Sequence, residues 1–301
     1  MIRWRWAGQL VLAGLLVWFV GRALADQWEA IRAAELRVTL NAPWLALSLG
    51  LACVTFALQI ESWRQALRGW GQHLRWRDLA ETWFIANLGR YIPGKVWSVA
   101  GLVVLAARQG VEGWAATAGA VVMQAVGLGS ALAVVAATLP GAASGVRVGL
   151  GALVAVGTVL LVAWPPAVDR VRRLIPRMGG LRPLPGPALA GCTAITLAAW
   201  MAYGLSFWAL SRGIGQPAVL SPGVAIGGFA LAYTVGLLAV FAPGGAVVRE
   251  GVLVALLAPI LGAGAALTLS LASRLVLTVA ELGAAAPFLV SYARRTSRAA
   301  G

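Results

Sequence analysis

Asn87-Leu88-Gly89-Arg90-Tyr91-Ile92-Pro93-Gly94-Lys95-Val96-Trp97 and, later, Phe241-Ala242-Pro243-Gly244-Gly245-Ala246-Val247-Val248-Arg249-Glu250 break two apolar stretches of this chain. Proline beside glycine ends an apolar helix, because one lacks the amide hydrogen and the other lacks the restraint of a Cβ. Both breaks also bring charge to a helix end inside hydrocarbon. A charge there is costly unless protein, water or an ionic ligand receives it. The two breaks predict an all-α membrane protein with two broken helical hairpins and a membrane-embedded site for something polar.

Composition agrees with that solvent. Of 301 residues, 60% are hydrophobic and 11% charged, with a mean hydropathy of +0.83, as in polytopic membrane proteins. No polar stretch between the apolar runs exceeds about 25 residues, too short for a soluble domain of the usual size. Residues 1–301 are therefore expected to form a single membrane domain. The formal charge of +14 is carried mainly by arginines in short loops and at the termini. That is the distribution of cytoplasmic flanks rather than of a nucleic-acid surface, so no nucleic acid is expected as a partner. Cys53 and Cys192 lie in apolar runs, and the single histidine, His73, sits in a polar loop. Neither a metal site nor a triad, phosphate loop or dinucleotide fingerprint can be assembled. No catalytic residue, metal or cofactor is expected.

The first apolar run, Ala7 to Val20, follows Arg3 and Arg5 and precedes Ala23-Leu24-Ala25. An uncleaved first helix is preferred, with a cleaved signal peptide as the alternative. Segment 1–42 then holds this helix and an outer interfacial piece. Further helices are predicted at 43–60, 114–139, 146–164, 187–210 and 262–290, with broken elements at 80–108 and 223–260. Arg64, Arg68, Arg75 and Arg77 form one basic loop, and Arg170, Arg172, Arg173, Arg177 and Arg182 another. With Arg294, Arg295 and Arg298 in the tail 291–301, these mark the cytoplasmic side and put both termini there. Arg-, Ala- and Gly-rich usage suggests a bacterial high-GC genome, hence a bacterial inner membrane.

Parity then orients the breaks oppositely. The first hairpin leaves the cytoplasm and returns to it; the second leaves the outside and returns there. Repeat one (43–139) and repeat two (187–290) are each a helix, broken hairpin and helix, joined through the connecting helix 146–164, one upside down relative to the other. Arms of about 13 residues in the first hairpin, near 20 Å, are too short to cross a core of about 30 Å, so a re-entrant hairpin fits. Arms of about 17 to 19 residues in the second nearly cross, and six to eight membrane segments remain open.

The motif Asn87 to Trp97, with Pro243-Gly244-Gly245 and Arg249-Glu250-Gly251 later in the chain, is similar to signatures of a known family. Over roughly 40–290 the chain resembles the flippase-like membrane domain of the lysylphosphatidylglycerol synthase/flippase superfamily. The resemblance implies an integral membrane domain associated with translocating lipids or lipid-linked intermediates. Where the family commonly reads Pro-Gly-Gly-x-Gly, this chain has Val247 at the second glycine position. No soluble aminoacyl-transferase domain follows within the 301 residues, so the synthase half is expected to be absent.

Helices restarting after the breaks would expose free N–H groups and positive dipole ends, which attract phosphate. The expected binding residues are Asn87, Arg90, Pro93, Gly94, Lys95 and Trp97 at the first break, Pro243, Gly244, Gly245, Arg249 and Glu250 at the second, and Arg274 in the last helix. Glu250 and Glu281 are candidates for proton coupling. An anionic phospholipid or polyprenyl-phosphate-linked lipid would be the substrate. Plainer roles stand beside each: snorkelling for Arg90 and Lys95, structural ion pairs for Arg249 and Glu250, helix packing for Asn87 and Gln124. Trp4, Trp6, Trp28, Trp44, Trp63, Trp70, Trp76 and Trp164 fall near span ends and read as interface anchors. Three function classes follow: a lipid transporter, a membrane scaffold or accessory subunit for a lipid-modifying or glycosyl-transferase enzyme, and a headgroup-modifying membrane enzyme.

Overall fold

The computed structural model describes residues 39–91, 96–139, 157, 164–175, 178–215, 220–239 and 247–298. The first helix and nearly all of the connecting segment 146–164 lie outside them. The described residues form nine helices, with no strand among them. These are α1 (Ala42–Gly69), α2 (Trp76–Asn87), α3 (Val96–Arg108), α4 (Gly113–Thr138) and α5 (Pro165–Leu174), then α6 (Gly186–Gly213), α7 (Pro222–Leu238), α8 (Val248–Leu261) and α9 (Ala263–Arg298). A short 3-10 turn, Leu88–Tyr91, follows α2. Proline occupies the first turn of α1, α5, α6 and α7, where its missing N–H has no helical partner to lose.

α1, α4, α6 and α9 are long and apolar enough to cross a membrane. The hairpin arms are shorter: 12 and 13 residues for α2 and α3, 17 and 14 for α7 and α8. At about 1.5 Å per residue only α7 approaches the roughly 30 Å of hydrocarbon, so these arms are all shorter than the four long spans. Several boundaries differ from the sequence reading. α1 runs on to Gly69 because Glu61 pairs with Arg64 at 2.9 Å and accepts from Gln65 at 3.0 Å, keeping its polar last turns satisfied within the helix. Part of the expected basic loop at Arg64 and Arg68 is therefore helical, and α5 turns part of the second basic loop into helix. Trp63, expected at an interface, is fully buried in the core.

The centre of the fold is an antiparallel pair, α1 against α6. Both helices have 28 residues, both begin with a small residue and proline, and both end in glycine. Ser48 Oγ donates to Ser206 O at 2.8 Å while Ser206 Oγ donates to Ser48 O at 2.7 Å. About four turns further along, Ser62 Oγ donates to Cys192 O and Cys192 Sγ to Ser62 O, both at 3.2 Å. In register, Ser48 corresponds to Cys192 and Ser62 to Ser206, so each bonded pair is the other's image. The terminal glycines obey the same exchange. A Cβ on Gly69 would sit 2.6 Å from Ala188 Cβ, and one on Gly213 would sit 2.7 Å from Leu45 Cδ2. Two antiparallel helices with self-complementary contacts are related by an axis perpendicular to both, which for spanning helices lies in the membrane plane.

The remaining packing repeats under that exchange. α4 packs on α6 and α7, and its counterpart α9 packs on α1 and α2. Buried positions of α4 and α9 also coincide: Ala115, Ala116 and Ala120 correspond to Ala265, Ala266 and Ser270. The two ends of the first hairpin are tied together by Gln72 Nε2 donating to Glu112 Oε1 and Glu112 N donating to Gln72 Oε1, each at 3.2 Å. They lie at the Trp70 end of α1. The second hairpin opens at the opposite end, where Trp44 meets Trp208 edge-on at 5.4 Å and Asn41 N donates to Gly213 O. The repeats are thus inverted, as the parity of the loops requires.

Candidate functional site

α8 restarts the chain immediately after the second Pro-Gly break, and its first turn carries Arg249 and Glu250, both buried. Successive helical residues point about 100° apart, so the two side chains reach different neighbours. Arg249 Nη2 donates to Ser273 Oγ of α9 at 3.1 Å, and its guanidinium carbon lies 5.6 Å from the ring centre of Phe229 in α7. Glu250 Oε1 accepts from Arg274 Nη1 of α9 at 2.9 Å and lies 3.5 Å from Arg249 Nε. Two guanidinium groups thus converge on one carboxylate oxygen, and the trio keeps one net positive charge. The other oxygen, Glu250 Oε2, is buried with no hydrogen-bond partner. In hydrocarbon such a cluster is expensive unless it serves a function.

α9 carries a polar stripe along an apolar span. Ser270, Ser273, Thr278 and Glu281 are buried, with Arg274 partly open. Ser273 Oγ donates to Ser270 O at 2.7 Å and Thr278 Oγ1 to Arg274 O at 2.8 Å, whereas Ser270 Oγ is buried without a partner among the described residues. At the far end α9 runs antiparallel to α2: Arg77 Nη2 donates to Ser291 Oγ at 3.4 Å, and Phe84 stacks on Phe288 at 5.5 Å. One helix therefore carries both Arg274, held against the second hairpin, and the buried Glu281 two turns further on.

At the first hairpin, Asn87 Nδ2 donates to Trp83 O at 2.8 Å, closing its own helix end. Arg90 falls in the 3-10 turn. Trp97 is 54% exposed, so it is turned outward rather than packed into the core. Gly89 is in close approach to the first turn of α3, where a Cβ would lie 3.0 Å from Ser98 N. Pro93, Gly94, Lys95, Pro243, Gly244 and Gly245 lie outside the described residues. The expected residues Arg249, Glu250 and Arg274 are thus brought into one cluster, with Glu281 on the same helix.

Sequence reading missed Glu81, Ser273 and Phe229. Glu81 is a buried carboxylate in the apolar arm α2, and its isolation there was a usable signal. Ser273 and Phe229 carry none, since only the packing of α7 and α9 on α8 brings them to Arg249. Phe229 continues through Tyr203 at 5.4 Å to Phe56 at 6.3 Å and Phe84 at 6.1 Å. This run of rings joins the second hairpin to the first through both central helices. Beside it a cavity of about 10 Å³, lined by Ser48, Ser206, Tyr203 and Ser273 among others, is at the lower bound for a single water.

Val247, the residue before α8, has φ 69° and is the one non-glycine residue with positive φ among the described residues. This is where the related signature commonly has glycine. A β-branched side chain is strained there, so the break keeps its left-handed geometry without the residue suited to it.

The family model described as "Lysylphosphatidylglycerol synthase TM region" matches residues 6–283. Comparison with curated proteins returned no match.

Proposed function

The chain belongs to the lysylphosphatidylglycerol synthase transmembrane-region family, and on that premise we propose that it carries an anionic, phosphate-bearing lipid headgroup across the membrane. The observation that carries the reading is the buried cluster of Arg249, Glu250 and Arg274 at the start of a short helix, with one uncompensated positive charge. A guanidinium fork matches phosphate oxygens, and a helix N-terminus adds free N–H donors. Acyl or prenyl tails stay in lipid while the headgroup passes by way of this cluster. Inverted repeats supply two equivalent ways to expose such a site, one to each face. Arginines crowd the Trp70 end of the spans (Arg64, Arg68, Arg75, Arg77, Arg108, Arg182), which supports reading that end as the cytoplasmic face.

Headgroup translocation in proteoliposomes tests this directly. Fluorescent phosphatidylglycerol, phosphatidylcholine and polyprenyl-phosphate lipids are compared for wild type and for Arg90→Ala, Lys95→Ala and Arg249→Ala. Anionic lipids should move, and each substitution should slow them at least tenfold. Movement of no lipid by folded protein would sink the transporter reading and leave a scaffold for a lipid-modifying enzyme.

A further inference from the structure

We propose that Glu250 is an internal anion that occupies the two arginines until a phosphate-bearing headgroup displaces it, and that it thereby determines which headgroups enter. The proposal rests on the lipid-transporter reading above and assigns the selectivity of that same site. Glu250 is bound through one oxygen only: Oε1 meets Arg274 Nη1 at 2.9 Å and Arg249 Nε at 3.5 Å, and Oε2 is buried and unpartnered. A half-satisfied carboxylate is an exchangeable one, because a ligand that supplies more oxygens to the same donors replaces it at little loss. Phosphate presents several oxygens to a guanidinium fork. A headgroup whose phosphate is already paired with its own ammonium offers less and loses the competition.

Three further observations fit an exchange at this position. The Arg274 side chain is 22% exposed against 9% for Glu250, so the pair has an open side, and it is on the arginine that a ligand would meet first. Glu250 sits three residues after the strained Val247, so the turn that carries it has a hinge already displaced from its relaxed backbone. In the first repeat the position corresponding to Arg274 is Gln124, which is exposed and uncharged. The pair is thus particular to the second repeat and is not part of what the two repeats share.

The test is equilibrium binding to the full chain in phosphatidylcholine nanodiscs, with phosphatidylglycerol and, separately, inorganic phosphate as probes. The proteins are wild type, Glu250→Gln, Glu250→Asp and Arg249→Gln, each checked by thermal melting. Glu250→Gln is expected to bind phosphatidylglycerol about tenfold more tightly than wild type, the scale of one charge-assisted hydrogen bond no longer competing. Glu250→Asp, with the charge kept and one methylene of reach lost, should lie between the two. Should Glu250→Gln not fold, the aspartate variant decides alone: a gain supports the exchange and no gain overturns it. An equal gain for inorganic phosphate supports it and identifies phosphate itself as what is read; a gain confined to the lipid supports it and adds the glycerol or tails. Unchanged or weaker binding by both Glu250 variants, with binding lost in Arg249→Gln, overturns this proposal and leaves the anion site standing. Binding of neither probe by any folded variant overturns the site along with it.

Discussion

At residue scale, Val247 is the position where chain and fold disagree. Its φ of 69° costs a β-branched residue about 1–2 kcal/mol, while glycine at the same place costs about 0.5–1 kcal/mol of unfolded-chain entropy. The difference favours glycine. Val247→Gly is expected to stabilise the protein by about 1 kcal/mol, read as a rise of a few degrees in the melting temperature; a fall would mean that its exposed side chain packs on something outside the described residues. The cluster after it was readable in part. Charges in apolar sequence point to themselves, so Arg249, Glu250 and Arg274 stand out along the chain. Their geometry did not, because a single sequence orders residues along a helix and says nothing about which helix faces which. Ser273 and Phe229 became partners of Arg249 only through packing.

At the scale of elements, the α1–α6 seam is held by hydroxyls and close approach rather than by apolar burial, as expected between helices in lipid. Ser62→Ala and Ser206→Ala remove corresponding donors. Each is expected to cost about 1 kcal/mol. The two bonded positions lie about 20 Å apart along the helix, so the losses should add in the double variant. Unfolding in mixed micelles measures all three. Unequal losses, differing by more than about 1 kcal/mol, would break the equivalence of the two repeats. Gly69→Leu and Gly213→Leu should likewise destabilise by similar amounts, about 1–3 kcal/mol, since each drives a side chain into the facing helix. Spans 43–60 and 187–210 were recognisable from apolar length. Their extension to Gly69 and Gly213 was not, because Glu61, Arg64 and Arg68 read as loop until the Glu61–Arg64 pair shows them to be helical.

For the whole molecule, two tryptophan layers set the frame. Trp44 and Trp208 lie at one end; Trp70 and Trp114, 5.7 Å apart, lie at the other. Along α1 they are separated by about 39 Å, close to the distance between two headgroup layers. In a background without Cys53 and Cys192, His73→Cys and Gln109→Cys should be labelled by an impermeant maleimide from one face of the membrane. Asn41→Cys and Ala263→Cys should be labelled from the other. Labelling of Gln109→Cys with the second pair would remove the first re-entrant hairpin. The inverted plan was legible from loop charge because each hairpin preserves sidedness whether or not its arms cross. The short arms of the first hairpin were legible too, from their length; how far the second pair reaches was not, since it depends on where α8 begins and ends. The seam at the centre also governs how the chain is made. α1 and α6 belong to different halves, and at roughly 5–20 residues per second the ribosome needs about 7–30 s to deliver the second after the first. Through that interval Ser48 and Ser62 sit in a helix without the partner helix whose carbonyls will accept their hydrogen bonds. The first half therefore has a physical reason to keep these hydroxyls shielded from lipid until the second half arrives.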